Sequence, residues 1–344
     1  MFTKTGTYVG DGGTANAIAG VGFAPICVMI ASTNTLSRGA VAIKVGSTTH
    51  TKTTGFSHTW DSQATITLDA NGFTLTNSNG TTNATGVTYR YMAWGGAAAD
   101  CAAFTYTGDG TDNRNVGALA FQPDFAIAFG SESAHTDWRT DQLGADLSNP
   151  MSTRAQANRI ANFHAAGITV GTLWNTNTVV YYAFCVKKVA TVFTTTEYNG
   201  NGADNRSIAH GLGATPAFTM IQVQNNAGSY DGVLVVRYAS QVGDVSKPIG
   251  DSLAETDNFI QSVDGTNIQI GTNDYVNHGA GYTYTLATFA EVNAAAAGPG
   301  NSGNSPGRSR GNPAPGGGGN GGGGGSPISD PTRRAFRAMR RRTR

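Results

Sequence analysis

The chain has 344 residues and a net charge of +1, with 47 glycines and only 13% charged residues. That length allows two or three domains. The mix of Gly with Thr, Asn and Ser favours short strands and tight turns over a helical bundle. No apolar run approaches the ~20 residues of a membrane span, and Met1-Phe2-Thr3-Lys4 opens no secretory segment, so the composition points away from membrane and conventionally secreted proteins.

In chain order, Tyr8-Val9-Gly10-Asp11-Gly12-Gly13 is followed by Ile18, Pro25 and an apolar run from Ile26 to Ile30. Then come an alternating stretch at Phe73-Thr74-Leu75, an Asn83, and an aromatic run from Tyr89 to Trp94. The same succession returns as Tyr106-Thr107-Gly108-Asp109-Gly110, Val116, Pro123, Phe125–Phe129, Ile168–Val170, Asn175 and Tyr181–Phe184. It returns again as Tyr198-Asn199-Gly200-Asn201-Gly202, Ile208, Pro216, Phe218–Val223, Ile268–Ile270, Asn277 and Tyr282–Leu286. A unit of this length is too long for a solenoid repeat and suits an autonomous domain. The expected fold is all-β: three tandem antiparallel β-sandwich or jelly-roll-like domains over 1–98, 99–190 and 191–293. The exception is a short helix or turn expected at Ser152–His164, with Ser152 as its N-cap. Tyr89, Tyr181 and Tyr282 recur and read as core.

Residues 294–326 form a Gly-rich flexible linker, and 327–344 a basic peptide. From Ala294 onward there are nine Arg and one acid, a net +8, which leaves −7 on residues 1–293. Asp330-Pro331 can start a short helix that places Phe336 and Met339 on one face among Arg333, Arg334, Arg337, Arg340 and Arg341. Those seven residues are the expected partner anchor, folding on a partner with acids or phosphates to offer.

The third copy, with Tyr198-Asn199-Gly200-Asn201-Gly202, Ile208-Ala209-His210-Gly211-Leu212-Gly213, Pro216 and Val276-Asn277 leading to Tyr282 and Tyr284, resembles a repeated β domain of tail and other structural proteins of tailed bacteriophages. The resemblance covers nearly all of 1–293 as three copies. The second copy departs from it at Gly117-Ala118-Leu119, and the first lacks the Asp-Asn-Arg after its Gly turn. The resemblance implies a virion structural protein without known catalysis. The reading expected from the sequence as a whole is capsid decoration or a fibre or tail component, made without a signal peptide and oligomeric in the particle, whose partners are other capsid or tail proteins and, as a further contact, a host-surface glycan.

Chemistry is sparse in the residues themselves. None of the six His falls into a metal-ligand spacing; His50, His58 and Asp61 sit close in the first domain but read as loop residues. No catalytic residue, metal or cofactor is assigned. Asp109-Gly110-Thr111-Asp112-Asn113 and its echo at Asn201–Asn205 are rich in oxygens, yet a turn built on Gly and Asx hydrogen bonds accounts for them better than calcium. Arg114 and Arg206 share a repeat position and are expected to brace that loop. Trp60, Trp138 and Tyr230 fall in loop-like stretches, and Trp138 with Arg139 is the candidate surface ligand contact. A carbohydrate-binding adhesin and a nucleic-acid-binding protein using the Arg-rich tail are the alternative readings; the acidic body weakens the second. Three cysteines, Cys27, Cys101 and Cys185, give no disulfide framework.

Overall fold

A computed structural model describes residues 1–34, 39–54, 66–76, 81–132, 135–224, 232–249, 251, 253–279 and 281–294. The chain divides into a compact unit, Met1–Gly298, and a second, Pro299–Arg344, that lies outside the described residues. Among the described residues, no helix is long and apolar enough to cross a membrane.

The fold is all-β. Repeat 1 forms β1 (Phe2–Val9), β2 (Asn16–Ala19), β3 (Cys27–Ser32), β4 (Gly39–Val45), β5 (Thr48–Thr54), β6 (Ile66–Asp69), β7 (Gly72–Leu75) and β8 (Thr88–Gly95). Repeat 2 forms β9 (Cys101–Thr107), β10 (Arg114–Val116), β11 (Phe125–Gly130), β12 (Thr136–Thr140), β13 (Leu147–Pro150), β14 (Gln156–Ala157), β15 (Ile160–His164), β16 (Gly167–Val170) and β17 (Val180–Val186). Repeat 3 forms β18 (Phe193–Asn199), β19 (Arg206–Ala209), β20 (Phe218–Val223), β21 (Leu234–Tyr238), β22 (Lys247–Ile249), β23 (Ile260–Val263), β24 (Asn267–Ile270) and β25 (Thr283–Phe289), with one helical turn, α1 (Asp274–Asn277).

Each repeat pairs a large antiparallel sheet with a three-stranded one. The large sheets run β1-β8-β3-β4-β5, β9-β17-β11-β12-β13-β14 and β18-β25-β20-β21-β22; the small ones run β2-β7-β6, β10-β16-β15 and β19-β24-β23. The period of two in a strand then sends alternate side chains to two different cores. In β8, Tyr89, Tyr91 and Ala93 enter the core of repeat 1, whereas Met92 and Trp94 enter a cluster that collects residues from all three repeats. This second face is why β3, β11 and β20 are buried at every position rather than at every other one.

The three large sheets therefore enclose a common core in cyclic order. Equivalent cross-strand pairs meet there: Cys27 opposite Trp94, Phe125 opposite Val186, and Phe218 opposite Phe289. Small stands against large in the first two pairs. Trp94 lies edge-on to Phe218 and Phe289, with centroids 5.8 and 5.6 Å away, and Phe125 meets Phe289 at 5.4 Å. Complementary volumes at three unlike pairs keep the space filled where a repeated residue would crowd the centre.

Of the short helix or turn expected at Ser152–His164, a turn forms at its start, where the Thr153 amide bonds the Pro150 carbonyl at 3.2 Å, and no helix does. Asn158 takes a left-handed φ of 61°, and Gln156–Ala157 and Ile160–His164 pair as β14 and β15. The Ala content of that stretch loses to sheet pairing on both sides of the turn. The aromatic landmark of repeat 3 is Tyr284 rather than Tyr282. Tyr8, Tyr106 and Tyr198 stack on Tyr89, Tyr181 and Tyr284 at 5.1, 5.0 and 5.2 Å, while Tyr282 is only half-buried. An extra residue after Asn277 displaces the tyrosine by one position relative to Asn83 and Asn175.

Candidate functional site

The most elaborated constellation recurs three times, at the end of each sandwich where the first strand leaves its large sheet. Its centre is an asparagine with no exposure: Asn83, Asn175 or Asn277. Asn175 Nδ2 donates to Asp109 Oδ1 and to the Thr111 carbonyl, both at 2.7 Å, while its Oδ1 accepts the Asp109 amide and an Arg114 guanidinium N–H, both at 3.2 Å. Asn277 accepts the Asn201 amide at 3.0 Å and an Arg206 N–H at 3.2 Å, and donates to the Ala203 and Gly271 carbonyls at 2.7 and 3.0 Å. Asn83 accepts the Asp11 amide at 3.0 Å and donates to Asp11 Oδ1 at 2.8 Å and the Gly13 carbonyl at 2.9 Å.

The glycines around this asparagine are there for space and for backbone. A Cβ on Gly10, Gly108 or Gly200 would lie 2.2, 2.0 or 1.9 Å from a carbonyl oxygen of the segment carrying the asparagine. The next glycines, Gly12, Gly110 and Gly202, adopt φ of 69°, 79° and 69°, which favours a residue without Cβ. Asp11, Asp109 and Asn201 close Asx turns on the amides two residues on. The aspartates at 11 and 109 are held below the ordinary carboxyl range, chiefly by those backbone donors.

Arg114 and Arg206 do brace the loop. Each also donates to a first-strand carbonyl, Thr107 at 2.7 Å and Asn199. Repeat 1 has no such arginine, and Asn16 takes the place, donating to the Val9 carbonyl at 3.3 Å and to Asn83 Oδ1 at 2.9 Å. The oxygens of these loops are thus spent on one another. Among the described residues, no group of three or more His, Cys, Asp or Glu could hold a metal.

Trp138 and Arg139 are not surface contacts. Trp138 is fully buried and donates its indole N–H to Gln222 Oε1 of repeat 3 at 2.6 Å. Gln222 Nε2 returns to the carbonyls of Pro150 and Gly232 at 2.6 and 2.9 Å, so the pair forms the joint between repeats 2 and 3. Arg139 points the other way and gives its N–H groups to the carbonyls of Leu143, Gly144 and Leu147. Arg237, its equivalent, does the same for Gly243, Val245 and Ile260. Repeat 1 has Ala42 at this position, because β4 and β5 are joined there by the tight turn Gly46-Ser47 and there is no long loop to hold.

Three equivalent residues on the fifth strands, Lys52, Asn149 and Lys247, are buried. Lys247 Nζ donates across to the Asn34 carbonyl of repeat 1 at 2.9 Å. Burial pulls both lysines down to about 8. Within repeat 2, Asp137 is fully buried against Arg159 at 3.2 Å and Ser148 at 2.7 Å; burial pushes its carboxyl up to about 6, with Arg159 opposing.

His50 stacks on Tyr182 of repeat 2 with centroids 3.9 Å apart. His210 Nδ1 accepts the Leu212 amide, and its Nε2 reaches the Asp264 carbonyl at 3.1 Å. Repeat 2 bridges the same junction from the opposite strand, with His164 Nε2 on the Val116 carbonyl at 3.2 Å. Sequence reading found a departure at Gly117-Ala118-Leu119 and missed this exchange, since the histidine lies 48 residues further along. A shallow concavity lined by Ala17, Ala19, Asp69, Asn71 and Phe73 holds about 120 Å³, well under the ~300 Å³ at which ligand pockets begin. His58, Trp60, Asp61, Tyr230 and the anchor peptide lie outside the described residues.

A family model described as a domain of unknown function, DUF7483, matches residues 1–98, the first repeat. No curated protein matches the chain.

Proposed function

We propose that the protein is a non-enzymatic structural component of a tailed-bacteriophage particle: a rigid three-sandwich body, displayed on capsid or tail and attached through its basic C-terminal peptide. The observation that carries this reading is the use made of the recurring residues. The Asn hubs, the stacked tyrosine pairs and the bracing arginines all hold loops in place, which suits a displayed scaffold. The resemblance noted in the sequence supplies the phage assignment, and the basic peptide behind a Gly-rich linker, with seven arginines and one acid, supplies the attachment. The glycan reading loses its leading residue with Trp138 in a joint.

Purified particles carrying the full chain, compared by quantitative mass spectrometry with particles carrying residues 1–293 alone, test the proposal. Loss of the truncated protein is expected. Full retention would move attachment to the body.

A further inference from the structure

The charge of the body is concentrated in one repeat. Repeat 1 has three acidic and five basic residues, and repeat 2 eight and six; repeat 3 has ten and three, a net −7. Its three cations offset this surface only in part, Arg237 acting on Asp244 from within. Arg237 and Lys247 are buried on main-chain carbonyls, and Arg206 is committed to its own loop. Among the described residues, only Glu255 and Glu291 of its acids form ion pairs, both with repeat 1.

The exposed acids Asp204 and Asp244 meet at one side chain, with the exposed Asp257 acting on Asp244. Gln261 on β23, 7% exposed, donates Nε2 to Asp204 at 2.9 Å and Asp244 at 3.3 Å, while its Oε1 has no partner. Burial, and then Asp257 and Asp204 against the opposing Gln261 bond, hold the Asp244 carboxyl above its ordinary range. This face holds three exposed acids, and the only cation acting on Asp244 is the buried Arg237. Its acids do not converge into a metal site, so a ligand with several spread donors fits better. A guanidinium offers five, and the peptide 327–344 carries seven arginines and one acid.

We infer that the acidic face of repeat 3, at Asp204, Asp244 and Asp257, is a docking surface for the arginine-rich peptide 327–344 of a neighbouring copy of this chain. The inference rests on the anchor reading above and names the anchor's partner. Single exposed ion pairs contribute little; several arginines against a repeat of net charge −7 act together and are screened by salt. Copies linked head to tail in this way extend along a particle surface.

Sedimentation of the full chain over a concentration series, at low salt and at about 0.5 M salt, where the Debye length falls to a few ångströms, tests this. Self-association at low salt is expected, reversed by salt and weakened at least tenfold in the triple variant Asp204→Asn, Asp244→Asn, Asp257→Asn. Glu132→Gln on repeat 2, an equal change of charge per site, leaves it intact, and circular dichroism shows that the variants fold. A chain monomeric at every concentration, whether or not the peptide folds back on its own copy, overturns the inference, as does a triple variant that associates like the parent. The two proposals fail separately. Retention of the triple variant on particles that lose the 1–293 truncation keeps the anchor and removes this partner; association of the full chain with retention of the truncation does the reverse.

Discussion

A single buried amide organises each loop. Asn277 makes four hydrogen bonds with no exposure, two as donor and two as acceptor. Truncation leaves buried groups on the loop without partners, at about 1–3 kcal/mol each where water cannot reach. Asn277→Ala is expected to destabilise the protein by about 3 kcal/mol, read from the urea midpoint at unchanged slope. Asn277→Asp cannot supply the donors to Ala203 and Gly271 and is expected to rescue little. The buried lysines give a different signature. Lys52 and Lys247 have folded values of about 8 against an ordinary 10.5. Below pH 8 both states hold the protons and the cost of burying the charge is fully present; between 8 and 10.5 the unfolded chain holds more, so stability rises with pH. Tyr8, Tyr106, Tyr198 and Tyr238 are raised above 10 by burial, so stability falls again once unfolded tyrosines ionise. Chemical denaturation between pH 7 and 11 is expected to show a maximum near pH 9–10, reduced in Lys247→Met.

At the level of the element, the Gly-x-Gly turns are fixed by two separate demands. The first glycine is needed for approach and the second for backbone sign. Gly108→Ala would set a methyl 2.0 Å from the Thr176 carbonyl, and this backbone contact has no flexible side chain to yield. Gly211 has a φ of 66° but open space around it, so Gly211→Ala strains only the backbone, by about 1 kcal/mol. Gly108→Ala is expected to cost at least twice as much in thermal or urea unfolding. The principal strands were legible because their signal is local: Tyr, Pro, an alternating apolar stretch and an aromatic run recur at like spacing in each repeat, and each falls at or beside a strand. The roles of Trp138 and Arg139 were not legible, because the loop-like look of Asp137-Trp138-Arg139-Thr140-Asp141 reflects a strand with two buried faces. Tryptophan faces a neighbouring repeat and arginine faces its own loop, and no periodicity in one repeat reports what lies across a joint. The recurring Asn landmark was visible as a spacing; its chemistry depended on loop carbonyls about 65–75 residues away.

Within the compact unit as a whole, three sandwiches share one centre, and each joint is made differently. A histidine–tyrosine stack joins repeats 1 and 2, and an indole–amide bond joins repeats 2 and 3. The joint of repeat 3 with repeat 1 has no linker and is closed by charge: Arg90 grips Glu255, and Lys4 meets Glu291 at 2.6 Å. Because Trp94 touches repeats 2 and 3 as well as its own strand, Trp94→Ala removes packing from the common core. The expected loss is about 3–5 kcal/mol, and calorimetry is expected to show one transition shifted downward as a unit. Separate melting of repeat 1 alone would contradict the shared centre.

The closure of the ring has a consequence for chain order. Thr3 and Val292 exchange both main-chain hydrogen bonds at 3.0 Å, so the two ends of the body already touch. Joining them with a short peptide and opening the chain instead between β8 and β9, or between β17 and β18, would leave every strand pair as it is and remove the Met1 ammonium–Asp100 ion pair between repeats 1 and 2. Within the body, the native topology therefore does not depend on which repeat the chain begins with. A circularly permuted body is the same object read from a different starting point.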